Sequence, residues 1–439
     1  MELSNFVIGV IAIVAVLVII QSGMHIAMAM MTVSWVAVWL MKDVEVAGRL
    51  LALAAAEKIA FYEFGVIPLF VMMGLLVATS DIGRDTFTVA NRLLNRLRGG
   101  LAISTVGANA AFAAVTGTSI ASASVFTKIA VPEMIRHGYT PRFAVGVVAG
   151  SSVLGMLIPP SLLLIIYGVI TETSIGDLFI AGIIPGIVLS IAFAILIYGM
   201  TLYTPRLVGR IADGGDDRAA SESDARAAWI LLLPIVVLMT AVLGGIYGGI
   251  FTPTEAGAVG AFAALVIGLA RGKLNMMKLW DVALETGYVT ASICFLLIAA
   301  QLYATMLAMS GIPGELSAVI ERAEYGYVAI LSGFILVVLI LGTFLDSVSI
   351  MLIVLPFVLP LLGNFNVNLI WFGIVTVLAA EVGLLTPPLG MACFVIQANL
   401  DDSRITLWDI FVGAFPFMLT MIAVLVLIIM VPWFSLALL

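Results

Sequence analysis

The sequence contains two Pro-Pro pairs, and each pair interrupts a long apolar segment at the end of a repeated pattern. The first copy runs from Gly117 to Pro159-Pro160, and the second runs from Gly342 to Pro387-Pro388. Corresponding residues are separated by a nearly constant distance along the chain: Gly117 and Gly342, Pro132 and Pro356, Gly155 and Gly383, and Gly182 and Gly413. This agreement indicates an internal duplication, so the fold must contain the same interrupted segment twice.

The apolar character of the chain places both copies inside a membrane. Of the 439 residues, 63% are hydrophobic and only 10% are charged, whereas soluble proteins are nearer half apolar and a quarter charged. Apolar stretches long enough to cross about 30 Å of hydrocarbon recur from one end to the other. We therefore predict an all-α polytopic membrane protein that has the lipid bilayer as its partner and binds no nucleic acid.

Each copy predicts one re-entrant helical hairpin followed by one broken helix. The hairpins are expected at about 101–134 and 326–362, because small and polar residues interrupt these apolar segments near their middle. The broken helices are expected at about 141–172 and 368–398, because proline removes a backbone donor and disfavours helix at the preceding residue. Irregular backbone at membrane depth is tolerated only where it is buried or lines a watery cavity. Paired breaks of this kind are typical of the binding site of a transporter built from repeats.

The distribution of positive charge predicts that the two repeats have opposite orientations. We expect a first repeat at 1–203 and a second at 228–439, joined by the long polar loop 204–227. If this loop is cytoplasmic, most of the 19 lysines and arginines lie inside, as the positive-inside rule requires. Outside fall Lys42, Arg49, Lys58 and Arg322, while Lys128 lies within the first hairpin. The same count puts the base of the first hairpin inside and that of the second outside, so the repeats are inverted.

Two acids lie deep in the apolar segments. A carboxylate at that depth is costly unless it has a partner or a function. No Lys or Arg lies near Asp346 in the sequence, which leaves two interpretations: a bound cation, or hydrogen bonds that tether the hairpin helices. For Glu381, a structural hydrogen bond to the facing hairpin and an ion or proton role are both open. Glu255 follows a proline at a helix start, where an acid is expected to stabilise the helix end.

Small oxygen-bearing residues surround both breaks. Taken singly, such residues usually serve close helix packing. Taken together with the duplicated breaks, they predict two Na⁺ sites, because unwound backbone carbonyls near helix ends coordinate this ion. The candidate ion ligands are Ser119, Ser122, Ser124, Gly155 and Pro159 in the first copy, and Thr343, Asp346, Ser349, Gly383 and Thr386 in the second. The candidate substrate ligands are Thr118, Ser151, Ser152, Pro160, Ser347, Pro387 and Pro388.

The sequence lacks the motifs of an enzyme or an ATP-driven pump. No Gly-x-x-x-x-Gly-Lys-[Ser/Thr] phosphate loop occurs, and no cluster of catalytic residues is visible. We therefore expect transport driven by an ion gradient.

Several motifs match one known family over essentially the whole chain and in the same order. They are Gly117-Thr118-Ser119 leading to Ile129-Ala130-Val131-Pro132-Glu133-Met134, Gly155-Met156-Leu157-Ile158-Pro159-Pro160-Ser161, Tyr167-Gly168-Val169-Ile170-Thr171-Glu172, Gly249-Ile250-Phe251-Thr252-Pro253-Thr254-Glu255-Ala256, Gly342-Thr343-Phe344-Leu345-Asp346 and Glu381-Val382-Gly383-Leu384-Leu385-Thr386-Pro387-Pro388. The chain thus resembles the large membrane subunit of TRAP transporters, the DctM-like permeases.

The resemblance implies an elevator-type secondary transporter that uses Na⁺ to import small organic anions, such as dicarboxylates, across the bacterial inner membrane. It implies that Asp346, Ser122 and Ser124 are ion-site residues. It also implies two partners, a periplasmic substrate-binding protein and a small four-helix membrane subunit. Because this chain begins directly at the first helix of the large part, we expect that subunit to be a separate chain.

Two other functions remain open at this point. A stand-alone Na⁺- or H⁺-coupled carboxylate transporter or antiporter of related fold would need no binding protein. A non-transporting membrane scaffold or receptor would show no solute flux, and it would leave the paired polar breaks unexplained.

Overall fold

The computed structural model describes residues 4–60, 62–94, 97–208, 222–322, 326–400, 402 and 404–439, and the regular elements in these ranges are helices. Seven helical segments within the described ranges are long and apolar enough to cross a membrane: Tyr62–Thr79, Pro141–Thr171, Ile175–Tyr203, Ile230–Tyr247, Pro253–Ala270, Met276–Ser310 and Leu407–Met430. The all-α polytopic membrane fold is therefore confirmed.

Five helices precede the first hairpin: α1 (Asn5–Gln21), α2 (Ile26–Met41), α3 (Val44–Ala60), α4 (Val66–Thr79) and α5 (Ile82–Leu94). The hairpin consists of α6 (Gly100–Thr116) and α7 (Ser119–Arg136). Helix α6 ends at Gly117, whose φ of 65° lies in the left-handed region that glycine adopts without strain. Helix α7 begins after Thr118, whose hydroxyl accepts a hydrogen bond from the Ala121 N–H. These two signals make a sharp turn at the hairpin tip.

The first broken helix follows as three pieces: α8 (Pro141–Ser152), α9 (Leu154–Leu157) and α10 (Leu162–Thr171). Its chain is extended at Ile158, and the helix resumes only after Pro159-Pro160. The Ser161 hydroxyl caps the resumed helix by accepting from the Leu164 N–H at 3.3 Å. The long helix α11 (Ile175–Tyr203) completes the first half.

The second half repeats this order. It begins with α12 (Glu222–Met239), a π-turn at Thr240–Gly244, α13 (Gly245–Tyr247), α14 (Pro253–Ala270), α15 (Met276–Ser310) and α16 (Ile312–Arg322). Helices α17 (Tyr327–Gly342) and α18 (Ser347–Leu362) form the second hairpin. The second broken helix comprises α19 (Leu369–Leu384) and α20 (Met391–Asn399), and α21 (Leu407–Met430) and α22 (Trp433–Leu436) follow.

At the ends of helices, the structure differs from one sequence expectation and agrees with another. The predicted linker 204–227 is shorter than expected, because α12 already begins at Glu222; residues 209–221 lie outside the described part of the chain. Glu255 does stabilise a helix start, since its side chain and that of Thr252 form a reciprocal capping box at the start of α14.

The helices pack as two groups. Helices α1, α2, α4, α14 and α15 form one connected set of packed helices, and we call them the scaffold group. The hairpins and broken helices pack with α11 and α21, and nearly all of α8–α10 is buried. Glycines allow the closest of these approaches: a Cβ built on Gly146 of α8 would lie 2.2 Å from the Gly413 carbonyl oxygen of α21.

Two ion pairs link the α4–α5 connection to the α14–α15 connection on the face that is predicted to be cytoplasmic. Arg271 pairs with Asp85, and the Lys273 Nζ lies 2.9 Å from an Asp81 carboxylate oxygen. The hydrogen bond from Lys273 lowers the pKa of Asp81, so this carboxyl group stays charged at neutral pH. Surface pairs usually contribute about 0–1 kcal/mol, so these pairs mainly fix the position of the α14–α15 connection against α4–α5.

The inverted arrangement can be tested by labelling the hairpin bases. In a chain with Cys294 and Cys393 replaced by alanine, we expect His137→Cys to react with a membrane-impermeant maleimide only from the cytoplasmic side. Gly326→Cys should react only from the opposite side, because both positions are exposed and lie at the bases of differently oriented hairpins. Labelling in right-side-out and inside-out vesicles measures this. Reaction of both cysteines from the same side would show that the hairpins enter from one face.

Candidate ion and substrate site

The first hairpin tip touches the first break backbone to backbone. The Leu162 N–H donates to the Gly117 carbonyl oxygen at 3.1 Å. A Cβ on Gly117 would lie 2.4 Å from the Pro160 oxygen, and one on Gly155 would lie 2.5 Å from the Thr118 oxygen. These positions therefore have no room for a side chain, and the conspicuous glycines of the sequence serve close approach.

The second hairpin tip meets the second break in the same way. The Leu389 N–H donates to the Thr343 carbonyl oxygen at 3.2 Å. Gly342 and Gly383 face each other, since a Cβ on either would lie 2.6 Å from the Cα of the other. The surroundings differ in one respect: Pro159-Pro160 is buried, whereas Pro387-Pro388 is exposed. The second break is thus the more accessible side of the site.

A single carboxylate joins the two hairpin tips. The Ser119 hydroxyl donates to Glu381 Oε2 at 2.6 Å, and the Ser347 hydroxyl donates to Glu381 Oε1 at 2.8 Å. Glu381 lies on α19 and is fully buried, with 0% relative exposure. The predicted hydrogen bond to a facing hairpin is therefore present, and it reaches both hairpins at once. The equivalent position of the first copy holds Val153, so the arrangement is not duplicated.

Helix N-termini and helix C-termini, which carry opposite partial charges, converge at these tips and breaks. The N-termini of α7, α10, α18 and α20 carry partial positive charge. The C-termini of α6, α9, α17 and α19 carry partial negative charge. Broken helices with this polarity attract an anionic group at their N-termini and a cation at their carbonyl ends.

Asp346 caps α18. Its carboxylate accepts from the Ser349 N–H at 3.1 Å and also from the Ser349 hydroxyl. These bonds cap the start of α18 and involve no residue of α17, so they do not tether the two hairpin helices to each other. None of the ion pairs of the described residues includes Asp346, so its charge is not balanced by a lysine or arginine there.

Several predicted ligands donate to a carbonyl of their own helix. The donors and acceptors are Ser151 to Val147 at 2.7 Å, Ser152 to Ala149 at 2.9 Å, Thr343 to Ile340 at 2.8 Å and Thr386 to Val382 at 2.9 Å. A hydroxyl that donates its hydrogen keeps two lone pairs on oxygen, so these groups can still bind a cation, with one lone pair of Ser151 already accepting from Asn109.

The serines of the first hairpin do not form one cluster. Ser119 binds Glu381 on α19, whereas Ser124 donates to the Asn399 side-chain oxygen on α20 at 2.9 Å. Ser122 is 1% exposed, and its hydroxyl has no hydrogen-bond partner among the described atoms. The predicted first ligand set is therefore divided between different neighbouring helices.

Sequence reasoning missed two asparagines that form hydrogen bonds with candidate serines. Asn109 is fully buried on α6, and its amide nitrogen donates to the Ser151 hydroxyl at 2.6 Å. Its carbonyl oxygen has no partner among the described atoms, which leaves a free acceptor inside the first hairpin. Asn399 orients Ser124, as described above. An isolated amide within an apolar helix was the available signal, because buried polar groups are costly.

The described residues contain no group of three or more His, Cys, Asp or Glu side chains that could hold a metal ion. A cation at the hairpin tips would therefore be held by hydroxyl and carbonyl oxygens with an isolated carboxylate. Such oxygen ligands suit a hard ion rather than a transition metal.

Paired hairpins, paired broken helices and helix ends of opposite partial charge define a polytopic membrane protein with the architecture of a transporter built from repeats. Among solved structures, the fold is similar to that of the Alcanivorax borkumensis YdaH transporter. The TM-score is 0.60 at 16% sequence identity, and the match covers 90% of this chain and 91% of the other.

The family model for the tripartite ATP-independent periplasmic transporter, DctM component, matches residues 11–434, and the chain belongs to this family. It is 33% identical to the C4-dicarboxylate TRAP transporter large permease protein DctM of Pseudomonas aeruginosa, over 89% of each chain. It is 30% identical to the sialic acid TRAP transporter permease protein SiaT of Haemophilus influenzae, over 86% of this chain and 61% of the relative.

Membership of this family confirms three predictions. The TRAP resemblance is correct, and the family consists of transporter permeases rather than enzymes. The chain is a multi-pass membrane protein. A tripartite system also implies two further components, a small membrane subunit and a periplasmic binding protein.

Proposed function

We propose that the chain is the large permease subunit of a Na⁺-coupled symporter that imports small organic anions across the bacterial inner membrane. The observation that carries this proposal is the convergence of four helix N-termini and four helix C-termini at the hairpin tips. One set provides positive potential for an anion, and the other provides carbonyl oxygens for Na⁺. A single site can thus bind both solutes.

Carboxylates are the favoured substrate class. The named substrates of the two relatives above, C4-dicarboxylate and sialic acid, are both organic acids. A carboxylate accepts hydrogen bonds from N–H groups at helix N-termini, as anions generally do. The start of α20, which follows the exposed second break, offers such N–H groups.

Na⁺ is the proposed coupling ion. The carbonyl ends of α6 and α17 lie beside Thr118 and Asp346, and the lone pairs of nearby hydroxyls add neutral oxygens. Asp346 supplies the charged ligand of the second hairpin. The free oxygens of Asn109 and Ser122 are further candidates in the first hairpin.

An elevator motion fits the packing. Glu381 ties both hairpin tips to α19, so the hairpins and broken helices have the contacts needed to move as one body against the scaffold group. We further propose that a separate small membrane subunit and a periplasmic binding protein complete the system. A stand-alone transporter is the alternative, and uptake by proteoliposomes of the chain without added binding protein would favour it.

Thermal unfolding in detergent tests Na⁺ coupling. Titrating NaCl against KCl at constant ionic strength should give a saturable, Na⁺-specific rise in unfolding temperature. A ligand at 100 times its dissociation constant adds about 2.7 kcal/mol to the free energy of unfolding. We expect Asp346→Asn to reduce this rise, because asparagine still caps α18 but carries no charge. Ser124→Ala should also reduce it.

Glu255→Gln serves as the control, since Glu255 caps α14 away from the hairpins. It should keep the full Na⁺-specific rise. Identical unfolding in Na⁺ and K⁺ would contradict Na⁺ coupling and favour proton coupling, with Glu381 as the residue to examine. A full rise in Asp346→Asn would remove Asp346 from the ion site.

A further inference from the structure

An apolar cavity of about 600 Å³ lies between the scaffold group and the second hairpin. Its walls come from α1, α15, α16, α17 and α18, and every lining residue is apolar or aromatic. The one polar group among the lining side chains, the Tyr303 hydroxyl, is itself buried without a hydrogen-bond partner among the described atoms. Water needs two to four polar partners in a cavity, so this space does not suit water.

The cavity extends along the second hairpin. Its lining on α17 runs from Ala329 to Leu341, which corresponds to about 18 Å at 1.5 Å per residue. That is slightly more than half of the roughly 30 Å hydrocarbon thickness of a bilayer. On the predicted topology, this stretch leads from the outer surface to the middle of the membrane. The extent of the lining along α17 therefore fits a linear chain that enters from the outer leaflet.

The cavity is continuous with the surface that faces the bilayer. Val337, which lines it, is 46% exposed, and its neighbours Leu336 and Ile340 on α17 are 58% and 52% exposed. On the opposite wall, Val14 and Val18 of α1 are 54% and 62% exposed. Lipid covers such side chains in a membrane, so acyl chains are the apolar molecules at the entrance.

We propose that this cavity binds one acyl chain of a membrane phospholipid between the second hairpin and the scaffold group. An unfilled cavity would deprive both walls of van der Waals partners, and an acyl chain restores those contacts. The bound lipid would thereby become part of the contact between the scaffold group and the second hairpin. This site is separate from the hairpin tips and does not depend on the proposed coupling ion.

Native mass spectrometry of protein released from nanodiscs of palmitoyl-oleoyl phosphatidylglycerol and phosphatidylethanolamine tests the proposal. We expect one phospholipid to remain on the wild-type protein under mild activation. Gly333→Leu should lose it, because a Cβ on Gly333 meets no atom within 4 Å and the larger side chain extends into the cavity. Gly199→Leu is the matched control on α11, where a Cβ also meets no atom within 4 Å, and it should retain the lipid.

Electron cryomicroscopy of the wild-type protein in nanodiscs of dibrominated phosphatidylcholine gives a second measurement that requires no variant. Bromine density within the cavity is expected. Equal lipid retention by Gly333→Leu and Gly199→Leu would overturn the proposal. So would an empty cavity, or one filled by protein density, in the wild-type map.

Discussion

Replacing Glu381 by alanine is expected to abolish the Na⁺-specific stabilisation and to lower the unfolding temperature in K⁺ as well. The substitution removes the acceptor of both Ser119 and Ser347. Each of these serines is the first residue of its helix, so no carbonyl four residues earlier in the same helix can replace the lost acceptor. A buried donor left without a partner costs about 1–3 kcal/mol. Unfolding curves and ²²Na⁺ binding in detergent measure the two effects.

A double-mutant cycle tests whether the Glu381 carboxylate couples the two hairpin tips through Ser119 and Ser347. If Glu381 couples the tips, the loss in free energy of unfolding caused by Ser119→Ala and Ser347→Ala together should differ from the sum of the losses caused by each alone. This difference should vanish in the Glu381→Ala background. Glu381→Gln retains one acceptor oxygen and should fall between wild type and alanine. Additive effects throughout, or a wild-type Na⁺ response in Glu381→Ala, would contradict the bridge.

Gly383→Ala is expected to be the second most damaging single change. The added methyl group would lie 2.6 Å from the Gly342 Cα, and the nearest atoms are backbone, so no side chain can turn aside. Overpacking usually costs about 1–3 kcal/mol, and a rigid contact of this kind belongs at the upper end. The second hairpin tip should separate from α19, with loss of Na⁺ binding and a lower unfolding temperature.

Gly287→Ala on α15 is the matched control, because a Cβ there meets no atom within 4 Å. Alanine also favours helix over glycine by about 1 kcal/mol, so this variant should be neutral or slightly more stable. If Gly383→Ala behaved like Gly287→Ala, the close approach of α17 and α19 would be wrong.

The hairpins and breaks could be predicted because their signals are local. Gly117 and Thr118 define a tip by a left-handed turn and a cap, and Pro159-Pro160 ends a helix wherever it occurs. Bounds were less certain where a helix end has no such signal. Helix α12 begins within the polar segment that was predicted to be a linker.

The contacts of the site could not be predicted because its partners are distant in the sequence. Ser119 and Glu381 are 262 residues apart, and Ser124 and Asn399 are 275 apart. The sequence also does not predict which way a hydroxyl donates. Ser152 and Thr386 lie next to the breaks, but each donates to a carbonyl three or four residues earlier in the chain. Tertiary packing decides which of several similar oxygens face the same space.

The carboxylate shared by the hairpin tips also bears on how the two copies arose. A dimer of identical single-repeat chains would present an acid at this position in both subunits or in neither. Here the second copy has Glu381 and the first has Val153, and one acid satisfies two serines. Such a division of labour can be inherited only after the coding sequence has been duplicated, because each copy is then free to change without the other. Duplication therefore had to precede the bridge.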